Sequence, residues 1–164
     1  MALGPLDGLL VVHVRTNAPL GAVHAGRTLV AEDVPVGEHL QLIGIRSGSY
    51  RWSEILLTAR GGERRRFYRQ QDTAFEFRPE ERLYFRVEPG SINYVGMLDV
   101  QQMGEYEVYM TTIDRTAIAR EMVGEAYPDL SQAYPFAYNG PAHHVFLERH
   151  RAATRGANAS GSSP

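Results

Sequence analysis

The stretch that most constrains this chain runs from Leu83 to Val100. Leu83, Phe85 and Val87 alternate with Tyr84, Arg86 and Glu88, Pro89-Gly90 interrupts them, and Ile92, Tyr94, Leu98 and Val100 resume the same period of two. Alternation of this kind marks a strand with one dry face, so the stretch predicts a strand, a turn and a longer strand. Gly96 falls in the apolar row and leaves a gap through which a neighbouring ring or backbone can approach.

Period two recurs along most of the chain. Gly8–Thr16 has apolar residues on both parities, Leu10, Val12 and Val14 against Leu9, Val11 and His13, which predicts a strand covered on both sides. Asn17–Gly37 is punctuated by Pro19, Gly21, Gly26, Pro35 and Gly37, and reads as loop, weak edge strand (Thr28–Ala31) and loop. His39–Arg46 is strand-like, and Gly48-Ser49 leads into Tyr50–Thr58. There, Tyr50 and Trp52 lie on the opposite parity to Ile55 and Leu57, and a bulge between the halves would bring all four to one side. Gly61-Gly62 suits the tip of a hairpin ending at Arg69. Phe75 and Phe77 start a further short strand, and Glu105–Thr111 has one dry and one wet face.

The period changes after Asp114, a residue able to cap a helix, where Ile118, Met122, Val123, Ala126 and Tyr127 form one apolar stripe that Pro128 ends. Pro128–Pro135 is a turn-like or helical piece, and Tyr134, Phe136 and Tyr138 make an aromatic ladder. The expected fold is mainly β, an antiparallel β-sandwich of about seven to nine strands, with one C-terminal amphipathic helix near residues 114–127. Residues 1–150 form the single domain, and 151–164 have the composition of a disordered tail.

Composition excludes several classes. There is no Cys, which removes disulfides, thiolate metal sites and Cys nucleophiles. A formal net charge of -2 describes an ordinary globular chain and argues against a nucleic-acid partner. The Leu9–Val12 run is far too short to be a signal core or a membrane span, so no spanning segment is expected. All cationic side chains are Arg, and the Asn158-Ala-Ser160 sequon sits in the Gly/Ser/Ala tail.

Three segments carry a resemblance: Gly48-Ser-Tyr-Arg-Trp52 with Ile55, Phe85–Leu98, and Tyr127-Pro-Asp-Leu130. Through them the chain resembles a group of small bacterial cell-envelope proteins, often lipoproteins, whose domain is of the transthyretin or prealbumin type. Ser47 stands where such domains often have Pro, and the chain has no lipobox Cys. The resemblance implies a β-sandwich and a periplasmic or envelope address if a leader was removed, otherwise a cytoplasmic one. It brings no catalytic residue with it.

Residue chemistry narrows the rest. His143, His144 and His150, with Asp129 or Glu148, are the densest group able to ligate a metal, but their spacing fits no closed zinc pattern, and exposed loop histidines are the plainer reading. No Gly-x-Ser-x-Gly elbow, Walker loop or dinucleotide fingerprint is present, so no cofactor is expected. Arg60, Arg64, Arg66 and Arg69 surround the Gly61-Gly62 tip, with Arg65, Phe67 and Tyr68 interleaved. Guanidiniums so placed can hold lipid phosphate or an acidic glycan, or can simply guard a sheet edge. The expectation is a non-catalytic envelope interaction or structural module, whose partner is an anionic envelope component or a protein. An anion-binding domain built on the Arg60–Arg69 hairpin and an uncharacterised hydrolase are the alternatives.

Overall fold

The computed structural model describes residues 3–58, 64–68, 83–104 and 108–141. The chain is mainly β. Its strands are β1 (Asp7–Thr16), β2 (Leu20–Ala25), β3 (Thr28–Val34), β4 (Gly37–Arg46), β5 (Gly48–Thr58), β6 (Arg64–Tyr68), β7 (Tyr84–Val87), β8 (Ile92–Gln102) and β9 (Val108–Ile113). Helices α1 (Thr116–Ala126) and α2 (Pro128–Ala133) follow, then β10 (Phe136–Tyr138).

The strands form two five-stranded sheets. In the first, the order is β10-β8-β1-β4, with β9 also paired to β8; in the second it is β3-β2-β5-β6, with β7 also paired to β5. The central strands β8 and β5 are long enough, at 11 residues each, to pair with two short strands end to end. The organising stretch is indeed a strand, a turn and a longer strand, but its halves lie in different sheets. The Pro89-Gly90 turn, with Gly90 at φ 63, carries the chain from β7 to β8. Asn93 secures the crossing from a fully buried position, its amide donating to the Leu9, Glu88 and Ser91 carbonyls and its oxygen accepting from the Glu88 N–H.

Antiparallel pairing does not hold throughout: β8 runs parallel to both β1 and β10, so the first sheet is mixed. Ten strands are described, against the seven to nine expected. The extra ones come partly from 17–37, where Gly26, at φ 62, opens a two-residue turn between β2 and β3 in what reads as loop. Turn residues there punctuate strands too short to show a period.

Bulges decide which faces are buried. Val11 pairs with Tyr94 but His13 pairs with Met97, so β8 holds one extra residue around Gly96, which sits at φ 89. One inserted residue flips every later side chain to the other face. Ile92 and Tyr94 therefore join one buried cluster, while Val95, Leu98 and Val100 join another. The apolar row read as continuous through Gly96 is in fact split. On β5, His24 pairs with Glu54 and Ala25 with Trp52, leaving Ser53 as the extra residue and bringing Trp52, Ile55 and Leu57 into one cluster, as a bulge there would require.

The larger cluster contains Leu10, Val12 and Val14 of β1 with Val23, Trp52 and Ile55 of the other sheet. Trp52 is 1% exposed and packs against Phe85 with ring centroids 5.0 Å apart. The opposite parity of β1, Leu9 and Val11, packs under α1 with Leu42, Ile92, Tyr94, Ala119 and Val123. Both faces of β1 are covered, as its sequence implies.

The helical region holds two helices, not one. Asp114 holds the first turn of α1, its carboxylate accepting from the Thr116 N–H at 2.9 Å and from the Thr116 hydroxyl at 2.6 Å. Pro128 ends α1 and opens α2, where its missing N–H costs nothing. The buried stripe is Ala119 and Val123, with Tyr127 partly buried against the same cluster; Ile118, expected in the stripe, is 40% exposed. No helix among the described residues is long and apolar enough to cross a membrane.

Candidate functional site

Two features of the described residues have the make-up of a functional site, one sealed and one open. The sealed one begins at His13 on β1. Its Nε2 lies 2.8 Å from a Glu38 carboxylate oxygen on β4, and its Nδ1 lies 3.2 Å from the Tyr94 hydroxyl on β8. Glu38 also takes the Arg115 guanidinium, at 2.8 and 3.0 Å, from the residue that precedes α1. Burial lowers the His13 pKa, against the pull of Glu38, so the imidazole is neutral at pH 7. Burial works to raise Glu38, but the His13 hydrogen bond and the charge of Arg115 outweigh it and hold the carboxyl below its usual value. One proton arrangement satisfies all three groups: Tyr94 O–H donates to Nδ1, and Nε2–H donates to the carboxylate. Burial raises the Tyr94 phenol well above its ordinary range. His13 and Tyr94 are both 0% exposed, while the Glu38 and Arg115 side chains are 31% and 29% exposed, so the network runs from the core to the surface and ties three strands to the start of a helix.

Beside it, Arg15 forks onto Asp99, at 3.0 and 2.7 Å, and Gln101 adds a third hydrogen bond at 2.7 Å. The Arg15 hydrogen bond holds the Asp99 carboxyl below its usual value. Asp99 is only 7% exposed, and both its carboxylate oxygens are engaged by these donors.

The open feature lies at one end of the second sheet. Ala25-Gly26-Arg27 of the β2–β3 turn, Ser49-Tyr50-Arg51 at the start of β5, and Tyr84 of β7 line a groove of about 350 Å³. The β-ladder brings them together: Ala25 pairs with Trp52, and Arg51 pairs with Tyr84. The Arg51 guanidinium lies 5.6 Å from the centre of the Tyr84 ring and donates to its hydroxyl at 3.4 Å. The Tyr50 hydroxyl donates to the Arg46 carbonyl at 2.7 Å, and its ring stacks on Phe85 at 5.8 Å, fixing one wall. Tyr84 is 45% exposed, leaving its ring available to a ligand. Among the described residues no carboxylate pairs with Arg27 or Arg51.

No family model, no curated protein and no solved structure matches this chain. The geometry therefore stands by itself.

Of the arginines singled out in the sequence, Arg60 and Arg69 lie outside the described residues. Arg64 and Arg66 lie on β6, in register with Thr58 and Leu56, and Arg65 is in register with Leu57. The β6 strand borders the same edge of β5 that carries β7, further along its length. His143, His144, His150 and Glu148 also lie outside the described residues, and among the described ones no group of three potential metal ligands converges. The groove residues escaped the sequence reading because Arg27 sits in a segment read as loop, and Tyr84 reads only as the wet parity of a strand. The one available signal was their residue type, Arg and Tyr at solvent-facing positions.

Proposed function

We propose that this chain is a two-sheet β-sandwich module that binds an anionic ligand, an acidic sugar in the first instance, in the groove formed by Arg27, Tyr50, Arg51 and Tyr84. The observation that carries the reading is the pairing of two guanidiniums with no carboxylate partner among the described residues and an exposed tyrosine ring, in one concave site. Guanidinium groups hydrogen-bond carboxylate and sulfate in the plane of the fork, and a flat ring gives a sugar or other ring-shaped body a surface to lie on. An envelope location is the setting in which acidic glycans are met; it rests on the resemblance of Phe85–Leu98 and its neighbours to envelope domains.

The arginine hairpin fits the same reading as an extension of the site. Arg64 and Arg66 are two residues apart on a strand that borders the same edge of β5 as Tyr84, which favours a long anionic ligand running along that edge.

Retention on sulfated and uronate polysaccharides, at roughly 20 and 150 mM salt, tests the proposal. The wild type is expected to bind at low salt and to weaken as salt rises. Arg27→Gln/Arg51→Gln should weaken binding by about tenfold or more, from the loss of two charge-assisted hydrogen bonds, and Tyr84→Ala should weaken it at both salt levels. Arg64→Gln/Arg66→Gln is expected to weaken long polymers but not a disaccharide, and Arg65→Gln to change neither. A wild type that passes through both columns at low salt overturns the reading.

A further inference from the structure

β4 closes one end of the first sheet and β3 one end of the second, and the two edges are built differently. β3 is guarded: a bulge breaks its ladder to β2, Glu32 and Asp33 are exposed on it, Asp33 turns to φ 48, and Pro35 follows. Its Val30 carbonyl is also taken, by the Gln41 amide at 2.6 Å. β4 carries no such guard. All ten of its residues pair with β1 without a register shift, and its only carboxylate and guanidinium are Glu38 and Arg46, one near each end.

The direction of the β4 backbone groups follows from β1. The Leu9 N–H donates to the Ser91 carbonyl and the Leu9 carbonyl accepts from the Asn93 amide, so odd residues of β1 turn their backbone toward β8 and even ones toward β4. Through the register, Gly37, His39, Gln41, Ile43 and Ile45 bond to β1, and Glu38, Leu40, Leu42, Gly44 and Arg46 point the other way. The Arg46 carbonyl accepts from the Tyr50 hydroxyl; no other outward backbone group of the five has a partner among the described residues. A long, unbroken row of unpaired N–H and C=O groups is a surface on which another strand can add.

The sequence of this edge is complementary to itself. Set antiparallel to a second copy about a two-fold axis at Leu42, Leu42 opposes Leu42, Leu40 opposes Gly44, and Glu38 opposes Arg46 at both ends. A slip of two residues loses the charge pairing, placing Glu38 opposite Gly44 or Arg46 opposite Leu40. Both charges are available for it. Arg46 is exposed and has no carboxylate partner among the described residues, and Glu38 Oε2 holds a single hydrogen bond, from Arg115. We propose that β4 is a homodimer edge: two copies of this chain join β4 to β4, antiparallel and centred on Leu42, so that their first sheets become one continuous sheet closed at each end by a Glu38–Arg46 pair.

Sedimentation equilibrium of the full chain, with backbone amide hydrogen exchange, tests this. The wild type should dimerise with a dissociation constant on the order of 10 μM. The Leu40, Leu42 and Gly44 amides should then exchange about fivefold more slowly at ~200 μM than at ~2 μM, while the β3 amides do not change. Gly44→Pro removes an outward N–H that the monomer does not use and should weaken the dimer by about tenfold or more. Arg46→Glu opposes like charges at both ends and should weaken it by a similar factor at ~20 mM salt and by less at ~500 mM. This exposed position decides the matter if Gly44→Pro does not fold. A wild type that stays monomeric up to about 200 μM overturns the proposal. So does a dimer whose Leu40, Leu42 and Gly44 amides are not slowed, or one that Gly44→Pro or Arg46→Glu leaves at wild-type affinity.

Discussion

At φ 89, with the Thr112 side chain and the Ile113 backbone against it, Gly96 occupies a place no other residue fits. A β-carbon there would collide with the Thr112 methyl while forcing a backbone region that L side chains rarely adopt. Gly96→Ala is therefore expected to cost about 2–4 kcal/mol in urea melts, whereas Gly26→Ala, which meets nothing within 4 Å, should lose only the smaller backbone cost, about 1 kcal/mol. The sequence shows a gap at Gly96 that a neighbour can enter, and the Thr112 side chain and the Ile113 backbone do enter it. The sequence does not show that Gly96 also marks the point where β8 exchanges faces, because the change of parity is visible only against the pairing with β1. Trp52 was legible at the same scale: a lone large aromatic in a strand belongs in a core, and its emission should be that of a buried indole.

Among the elements, α1 is the instructive one. It starts at Thr116 with Arg115, not Asp114, in the cap position, although the Asp114 carboxylate still holds Thr116, and it stops just before Pro128; both ends follow from local effects and so are nearly readable in sequence. Which side of it docks is not local. Ile118, Met122 and Val123 all belong to an acceptable stripe, and only contact with Leu9, Val11 and Tyr94 selects Ala119 and Val123. Val123→Ala should cost about 2 kcal/mol, because it removes two buried methyl groups from a fixed cluster. Ile118→Ala, on a residue 40% exposed, should cost under about 0.5 kcal/mol. Equal losses in denaturant melts of the two variants would mean that the helix packs by its other face.

For the molecule as a whole, the His13–Glu38–Arg115 network with Tyr94 joins β1, β4 and β8 to α1. Its protonation gives a pH dependence of definite sign. His13 has a folded-state pKa below its ordinary 6.5, so below that value the unfolded chain binds a proton that the folded one resists. Stability is then complete above about pH 6.5 and is lost as pH falls toward the folded-state value. The depressed Glu38 carboxyl works in the same direction at lower pH, its contribution present above the ordinary 4.5 and lost on further acidification. Urea melts at about pH 7.5, 6 and 5 should show the decline. In His13→Gln, which keeps hydrogen-bonding capacity without a titration, stability should be lower at neutral pH and the slope between about pH 6.5 and 5 should flatten. An unchanged slope would place the acid sensitivity elsewhere.

The sequence by itself determined most of the elements, though not β2, whose Leu20–Ala25 reads as loop. Period two reports that a segment has two faces with different surroundings, and an Asp or a Pro acts within a turn of its own position, so the longer strands and the approximate limits of α1 could be read from neighbours alone. Tertiary structure alone decided the partners: that β1 lies parallel to β8, that β7 and β8 separate into different sheets, and that Arg27, Arg51 and Tyr84 share one groove. Periodicity carries no information about which edge pairs with which, because backbone hydrogen bonds look the same in every strand. His13, Glu38, Tyr94 and Arg115 are widely separated along the chain, and they became a network only when strand pairing and the docking of α1 placed them within 3.2 Å of one another in sequence of contact.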